Sequence, residues 1–116
     1  QYTAGLAIQE KLLGTKHPDV AETVNNLGSV LKAQGDLAGA RASFQRALRS
    51  DEAAYGPDHP KVARDVNNLG LVLQELGDLA GARANLQRAL RIFEQFLPAG
   101  HPNIEVVRGN LESLGE

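Results

Sequence analysis

The chain has 116 residues, a length that suits one small domain or a piece of a larger one. Its 12 basic and 14 acidic residues leave a formal net charge of −2, too balanced for a polyanion binder or an acidic tail. Cys is absent, which excludes disulfide frameworks, thiolate zinc sites and cysteine catalysis.

Hydrophobic residues make up 42% and charged residues 22%, ordinary for a folded domain and unlike a disordered chain. No run approaches the roughly 18 apolar residues that would span a membrane, and no signal-peptide pattern is present. The expected location is therefore cytoplasmic. The chain opens at Gln1 without an initiator Met, so a fragment or a processed chain is expected.

Taken in order, the elements repeat. Tyr2 to Leu13 aligns with a later helix, Tyr2 on Phe44, Leu6 on Leu48 and Gly14 on Gly56. The chain thus begins partway along the second helix of a pair. His17–Asp58 and His59–Gly100 then align without gaps at an offset of 42 residues, most positions being identical, and a further copy opens at His101. A fixed period of this length means stacked units, because one unit cannot bury its apolar face alone.

Each unit reads as two helices. Pro18, Pro60 and Pro102 stand where proline's missing N–H costs nothing. Val20, Val24, Leu27 and Leu31 form one helical stripe. Gly35 and Gly77 suit a left-handed helix stop. Asp36 and Asp78 follow as N-caps. The second stripe is Leu37, Ala40, Phe44, Ala47 and Leu48. So short a connection sets the two helices antiparallel. Tyr55-Gly56-Pro57-Asp58 leads to the next unit. In the last copy Arg108 replaces Val24 and Val66, and Glu112 replaces Gly28 and Gly70. That helix reads either as a polar terminal cap or as a first helix cut from a longer array.

With these residues in view, the chain resembles the tetratricopeptide repeat, in the 42-residue form seen in kinesin light chains and many bacterial signalling proteins. The family's signature positions match Leu27, Gly28, Ala40, Phe44 and Ala47, and again Leu69, Gly70, Ala82, Leu86 and Ala89. The family's Trp position holds Val24 and Val66, and its Tyr position Leu31 and Leu73. The resemblance implies an all-α, right-handed α-solenoid of antiparallel helix pairs. It would comprise a single domain: a partial repeat at 1–16, repeats at 17–58 and 59–100, and a terminal first helix or cap at 101–116.

Chemistry is sparse in the pattern. His17, His59 and His101 recur once per unit, but helices pack about 8–10 Å apart and a zinc ion needs nitrogens about 2 Å away. They read as turn residues, with no metal and no cofactor. Asp51 and Glu52 read as a solvated helix face. Gly-Asp-Leu-Ala-Gly-Ala lacks the ending and strand context of a phosphate loop, and no catalytic triad recurs. Arg41, Arg46 and Arg49 recur as Arg83, Arg88 and Arg91. Without a stacking platform they read as a solvated outer face paired to neighbours, not a nucleic-acid surface.

The candidate site is the asparagine pair of each first helix: Asn25 and Asn26, Asn67 and Asn68, then Asn110 beside Gly109. Asn is a poor residue inside a helix, so its recurrence asks for a reason. The resemblance implies that first helices line a concave groove. It places Glu22, Asn25, Asn26, Ser29 and Lys32 there, with Arg64, Asn67, Asn68, Leu71 and Gln74 as counterparts. An amide carries donors and an acceptor and can grip a peptide backbone of any sequence. The competing reading is that the amides bond the neighbouring repeat and hold the stack. It has equal standing for Asn26, Asn68 and Asn110, whereas Asn25 and Asn67 favour ligand contact. Differences between copies, Glu22 against Arg64 and Ser29 against Leu71, suit selectivity along a ligand.

The expected function is a non-catalytic scaffold for a protein or an extended peptide segment, with no nucleic acid and no membrane as partner. Two alternatives stand: a sensing or autoinhibitory arm of a larger signalling ATPase, and an architectural or designed repeat without ligand. The truncated N-terminal helix, with Tyr2, Leu6 and Leu13 uncovered, is expected to self-associate or fray.

Overall fold

Each helix start and stop in the chain is written by a short-range signal. In the computed structural model, which describes residues 18–115 (side chains from 20), those signals produce five helices and no strand. They are α1 (Pro18–Ala33), α2 (Leu37–Tyr55), α3 (Pro60–Glu75), α4 (Leu79–Phe96) and α5 (Pro102–Glu112). Tyr2 to Leu13, with the self-association expected of it, and His17 lie outside the described residues.

Two turns build the hairpins. Gly35 and Gly77 adopt φ +86° and +90°, a region that L side chains enter only at a cost. There Asp36 N–H donates to Leu31 O at 2.8 Å and Gly35 N–H to Lys32 O at 3.0 Å. The second turn repeats this with Asp78 to Leu73 at 2.9 Å and Gly77 to Gln74 at 3.1 Å. This is a Schellman stop, which satisfies carbonyls that the helix end orphans. The next residue starts the following helix: Asp36 and Asp78 accept from Gly39 and Gly81 N–H, both at 2.9 Å. Stop and start thus take only three residues, which folds α2 back on α1 and α4 back on α3.

The His-Pro openings work through the histidine side chain. His59 Nδ1 accepts from Lys61 N–H at 3.1 Å, and His101 Nδ1 from Asn103 N–H at 3.0 Å. Both imidazoles are N-caps, so these two histidines have a structural task in the turn. No group of side chains suited to a metal ion occurs among the described residues.

Each helix packs on the next in the chain. Three buried clusters run through the stack. Val20, Val24 and Ala47 lie at one end. Ala40, Phe44, Leu69, Val72, Leu73 and Ala82 lie in the middle. Val62, Val66, Leu86, Ala89, Ile92, Phe93, Ile104, Val107 and Leu111 fill the other end. Of the predicted stripes, Val20, Val24, Ala40, Phe44 and Ala47 are core residues, while Leu27, Leu31, Leu37 and Leu48 pack against the clusters half-buried. The predicted α-solenoid is the architecture observed.

Close approach within the pairs rests on Gly28 and Gly70. A Cβ on Gly70 would stand 2.8 Å from Leu86 Cγ and 3.3 Å from the Ala82 carbonyl oxygen. The carbonyl belongs to a helix and cannot swing aside. Gly70→Ala is therefore expected to lose about 1–3 kcal/mol to overpacking, partly offset by alanine's gain of about 1 kcal/mol in a helix. Gly109, also inside a helix, has nothing within 4 Å of its notional Cβ. Gly109→Ala should stabilise by up to about 1 kcal/mol. Urea denaturation of the two variants checks the opposite signs.

Candidate functional site

The first helices α1, α3 and α5 are tied to one another by their asparagines. Asn68 Nδ2 donates to Asn25 Oδ1 at 3.0 Å, and Asn110 Nδ2 donates to Asn67 Oδ1 at 3.0 Å. The second Asn of one repeat thus reaches the first Asn of the repeat before it. The series stops at α5, where Gly109 occupies the register of Asn25 and Asn67. Each amide uses one end in this ladder. Asn25 and Asn67 retain an N–H₂ group, and Asn68 and Asn110 retain a carbonyl oxygen.

Burial separates the pair in a way the sequence did not foretell. Asn25 is 8% exposed, while Asn26 is exposed and has no side-chain hydrogen bond to another described residue. Asn67, Asn68 and Asn110 are half-buried. The inter-repeat bond, which stands level with ligand contact for Asn26, Asn68 and Asn110 in the sequence reading, is made by Asn68 and Asn110 and engages Asn25 and Asn67 as its acceptors. Asn26 takes no part in it.

Two recesses flank the ladder. The first, about 320 Å³, lies between α1 and α3 and is lined by Ser29, Lys32, Asn68, Leu71, Glu75 and, at its floor, Phe44. Lys32 faces Glu75 across it at 3.8 Å, and Ser29 Oγ donates to Asn25 O at 3.3 Å. The second, about 380 Å³, lies between α3 and α5, with Lys61, Arg64, Asn67, Asn103, Val106 and Phe93 among its walls. Gln74 extends from α3 to Ser113 Oγ at 3.2 Å, beyond either recess.

Asn103 and Val106 were missed, although a signal existed. Val106 stands 42 residues after Arg64, so carrying the repeat register into the last copy would have named it; Asn103 stands 42 residues after Lys61, which the sequence reading also left out. Val106 is 55% exposed, a large apolar side chain presented to this recess.

Glu22 and Arg64, read as independent variations, are partners. Arg64 Nη1 donates to Glu22 Oε2 at 2.8 Å, and Lys61 Nζ lies 3.6 Å from the same oxygen. The guanidinium beside it holds the Glu22 carboxyl below its ordinary range. Arg64 Nη2 also reaches Asp51 Oδ2 at 3.3 Å and Asp65 Oδ1 at 3.2 Å.

Asp51 corrects a sequence reading. It is not on a solvated face: Asp51 and Asp65 are both 0% exposed. Ala40, Phe44, Ala47 and Asp51 follow at helical spacing, so Asp51 continues the buried stripe of α2. Its neighbour Glu52 does turn outward and accepts from Arg88 Nη2 at 2.6 Å.

On the outer face Arg88 also donates to Pro57 O at 3.0 Å, and Arg91 lies 3.8 Å from Asp58. Arg41 and Arg49 are exposed. These second-helix arginines are dispersed and partly paired, as the charge pattern implied. No helix among the described residues is long and apolar enough to cross a membrane.

Comparison with known proteins agrees with the fold. The sequence model of the tetratricopeptide repeat matches residues 1–53 and 19–95. No curated protein matches the sequence. Among solved structures, the crystal structure of BtubC (BKLC) from P. vanneervenii is similar at a TM-score of 0.86 and 26% identity, over 97% of this chain and 45% of that one. The chain therefore spans less than half the length of that neighbour.

Proposed function

Because the chain belongs to the tetratricopeptide repeat family, in its 42-residue, kinesin-light-chain-like form, we propose that α1, α3 and α5 form a non-catalytic groove for an extended peptide segment of a protein partner. Repeats of this family generally mediate protein–protein interaction. The observation that carries the reading is the pair of recesses on either side of the amide ladder, each combining an Asn with an apolar wall. Three first helices at about 8–10 Å per step give about 20 Å of track. An extended chain rises about 3.3 Å per residue, so about six ligand residues would lie along it. The uncommitted ends of Asn67, Asn68 and Asn110 offer a donor and two acceptors to its backbone.

Neutral hydrogen bonds contribute only about 0.5–1.5 kcal/mol each, so affinity is expected around micromolar. Peptides selected from a short random library provide the probe. The double variant Asn25→Ala, Asn67→Ala should bind them at least about tenfold more weakly per folded molecule. It should also lose about 1–3 kcal/mol of stability for each ladder bond, since the partner amides of Asn68 and Asn110 are left half-buried. Stability loss with unchanged affinity per folded molecule would leave the ladder a purely structural seam.

That outcome would favour the architectural reading, which the inter-repeat bonds support directly. A sensing arm of a larger signalling ATPase would use the same groove within a longer chain. A cytoplasmic site of action is part of the same proposal.

A further inference from the structure

The joint between the first two helix pairs differs from the next one. Asp51, Arg64 and Asp65 occupy the first. Their equivalents 42 residues later are Phe93, Val106 and Val107. A charged cluster thus stands where the following joint is apolar.

The cluster is short of donors. Arg64 reaches one oxygen of each aspartate, at 3.3 and 3.2 Å. The other two, Asp51 Oδ1 and Asp65 Oδ2, are buried with no hydrogen-bond partner among the described residues. Two fully ionised carboxylates with orphaned oxygens in an apolar joint would carry a large desolvation cost. The surrounding charges do not relieve it. From α1 comes Glu22, already paired with Arg64 and Lys61 of α3. From α2 come Glu52, held by Arg88 of α4, and Tyr55, stacked on His59 at 4.3 Å with Lys61 over its ring. Among the described residues, the cations paired with Glu22, Asp51 and Asp65 are Lys61 and Arg64, and one further positive charge balances the set.

We propose that Asp51 and Asp65 share a single proton at neutral pH, forming a carboxylic acid–carboxylate pair that bonds α2 to α3 and makes this joint, unlike the next, sensitive to pH. The proton supplies the missing donor: the protonated oxygen of one carboxyl donates to the other. Burial first, then hydrogen bonding to Asp51 and its charge, push the Asp65 carboxyl up to about 9, against the opposing pull of Arg64.

The sign follows from linkage. An unfolded aspartate titrates near 3.9, so between about pH 4 and 9 the folded chain holds a proton that the unfolded chain has released. The stability this group contributes is fully present below about pH 4. It declines as pH rises and is gone above about pH 9. Glu22 titrates in the opposite sense at the acid end, so the informative range lies above pH 5.

Asp65→Asn keeps the shape and places an amide N–H₂ where the proton was. Relative to this variant, the wild-type folding equilibrium constant should fall about tenfold per pH unit between about pH 5 and 8. In the wild type, carbon-13 titration of aspartate side chains should show one carboxyl still protonated at pH 7, and the variant should lack it. Parallel pH profiles of the two proteins, or wild-type aspartates all ionised by pH 6, would overturn the proposal. The carbon-13 readout needs only the wild type and decides the matter even if the variant folds poorly.

Discussion

Phe44→Ala is expected to lower the unfolding free energy by about 3–5 kcal/mol, the usual cost of emptying a buried aromatic site. Phe44 is 1% exposed and lies at the meeting point of three helices. Its ring fills the space that Gly28 leaves on α1, where a Cβ would come within 2.7 Å of it. It also packs in one cluster with Leu69, Val72 and Leu73 of α3. The void cannot close, because the helix backbones around it are held by the turns at Gly35 and Gly77. Domains of this size are stable by about 5–15 kcal/mol in all, so a large fraction is at stake. In a stack of nearest-neighbour contacts the damage stays local. Hydrogen exchange should show α1 and α2 losing protection while α4 and α5 keep theirs. Leu86 holds the equivalent place in the next repeat, so Phe44→Leu should cost much less than Phe44→Ala. Urea titration with an unchanged slope and a lower midpoint checks both.

Arg64→Ala is the second large effect. It strips a guanidinium that reaches both buried aspartates and also breaks the bond to Glu22. Removing one partner of a fully buried pair costs about 3–5 kcal/mol. Arg64 itself is 30% exposed at its side chain, so discounting for solvent screening brings the expected loss below that range, to about 2–3 kcal/mol. The loss should grow with pH, since protonation is the remaining way to neutralise Asp51 and Asp65. Arg64→Val combined with Asp51→Phe and Asp65→Val copies the next joint into this one. Buried ion clusters replaced by packed apolar groups are often neutral or stabilising. The triple variant should therefore be at least as stable as the wild type, with thermal unfolding as the measure.

The contrast between these residues shows what a sequence can carry. Phe44, Gly28 and the capping aspartates were legible because each obeys a local rule: helical spacing, close approach, or an N-cap. The 42-residue offset extended those rules to every copy, which made the solenoid readable without any long-range information. The ladder was half legible. Recurrence of Asn marked the positions, but the bond joins residues 43 apart, the second Asn of one unit to the first of the unit before. Spacing within one helix does not disclose that crossing. The pairing of Glu22 with Arg64 escaped for the same reason: a difference between copies was read as variation, when the two residues touch. Asp51 was misread because its charge outweighed its place on the buried stripe. Polar identity suggested solvent, and periodicity, which places Ala47 and Asp51 on one face, was the better guide.

The central claim is that a peptide lies along α1, α3 and α5 and not along the outer helices. Backbone amide NMR of the whole chain, titrated with a peptide selected from the random library, tests it most directly. The account predicts that shift changes gather at Asn67, Asn68, Leu71, Asn103 and Val106. Arg41, Gln45, Gln87 and Arg91 on α2 and α4 should stay unmoved. Changes centred on those four residues, with the ladder amides silent, would contradict it.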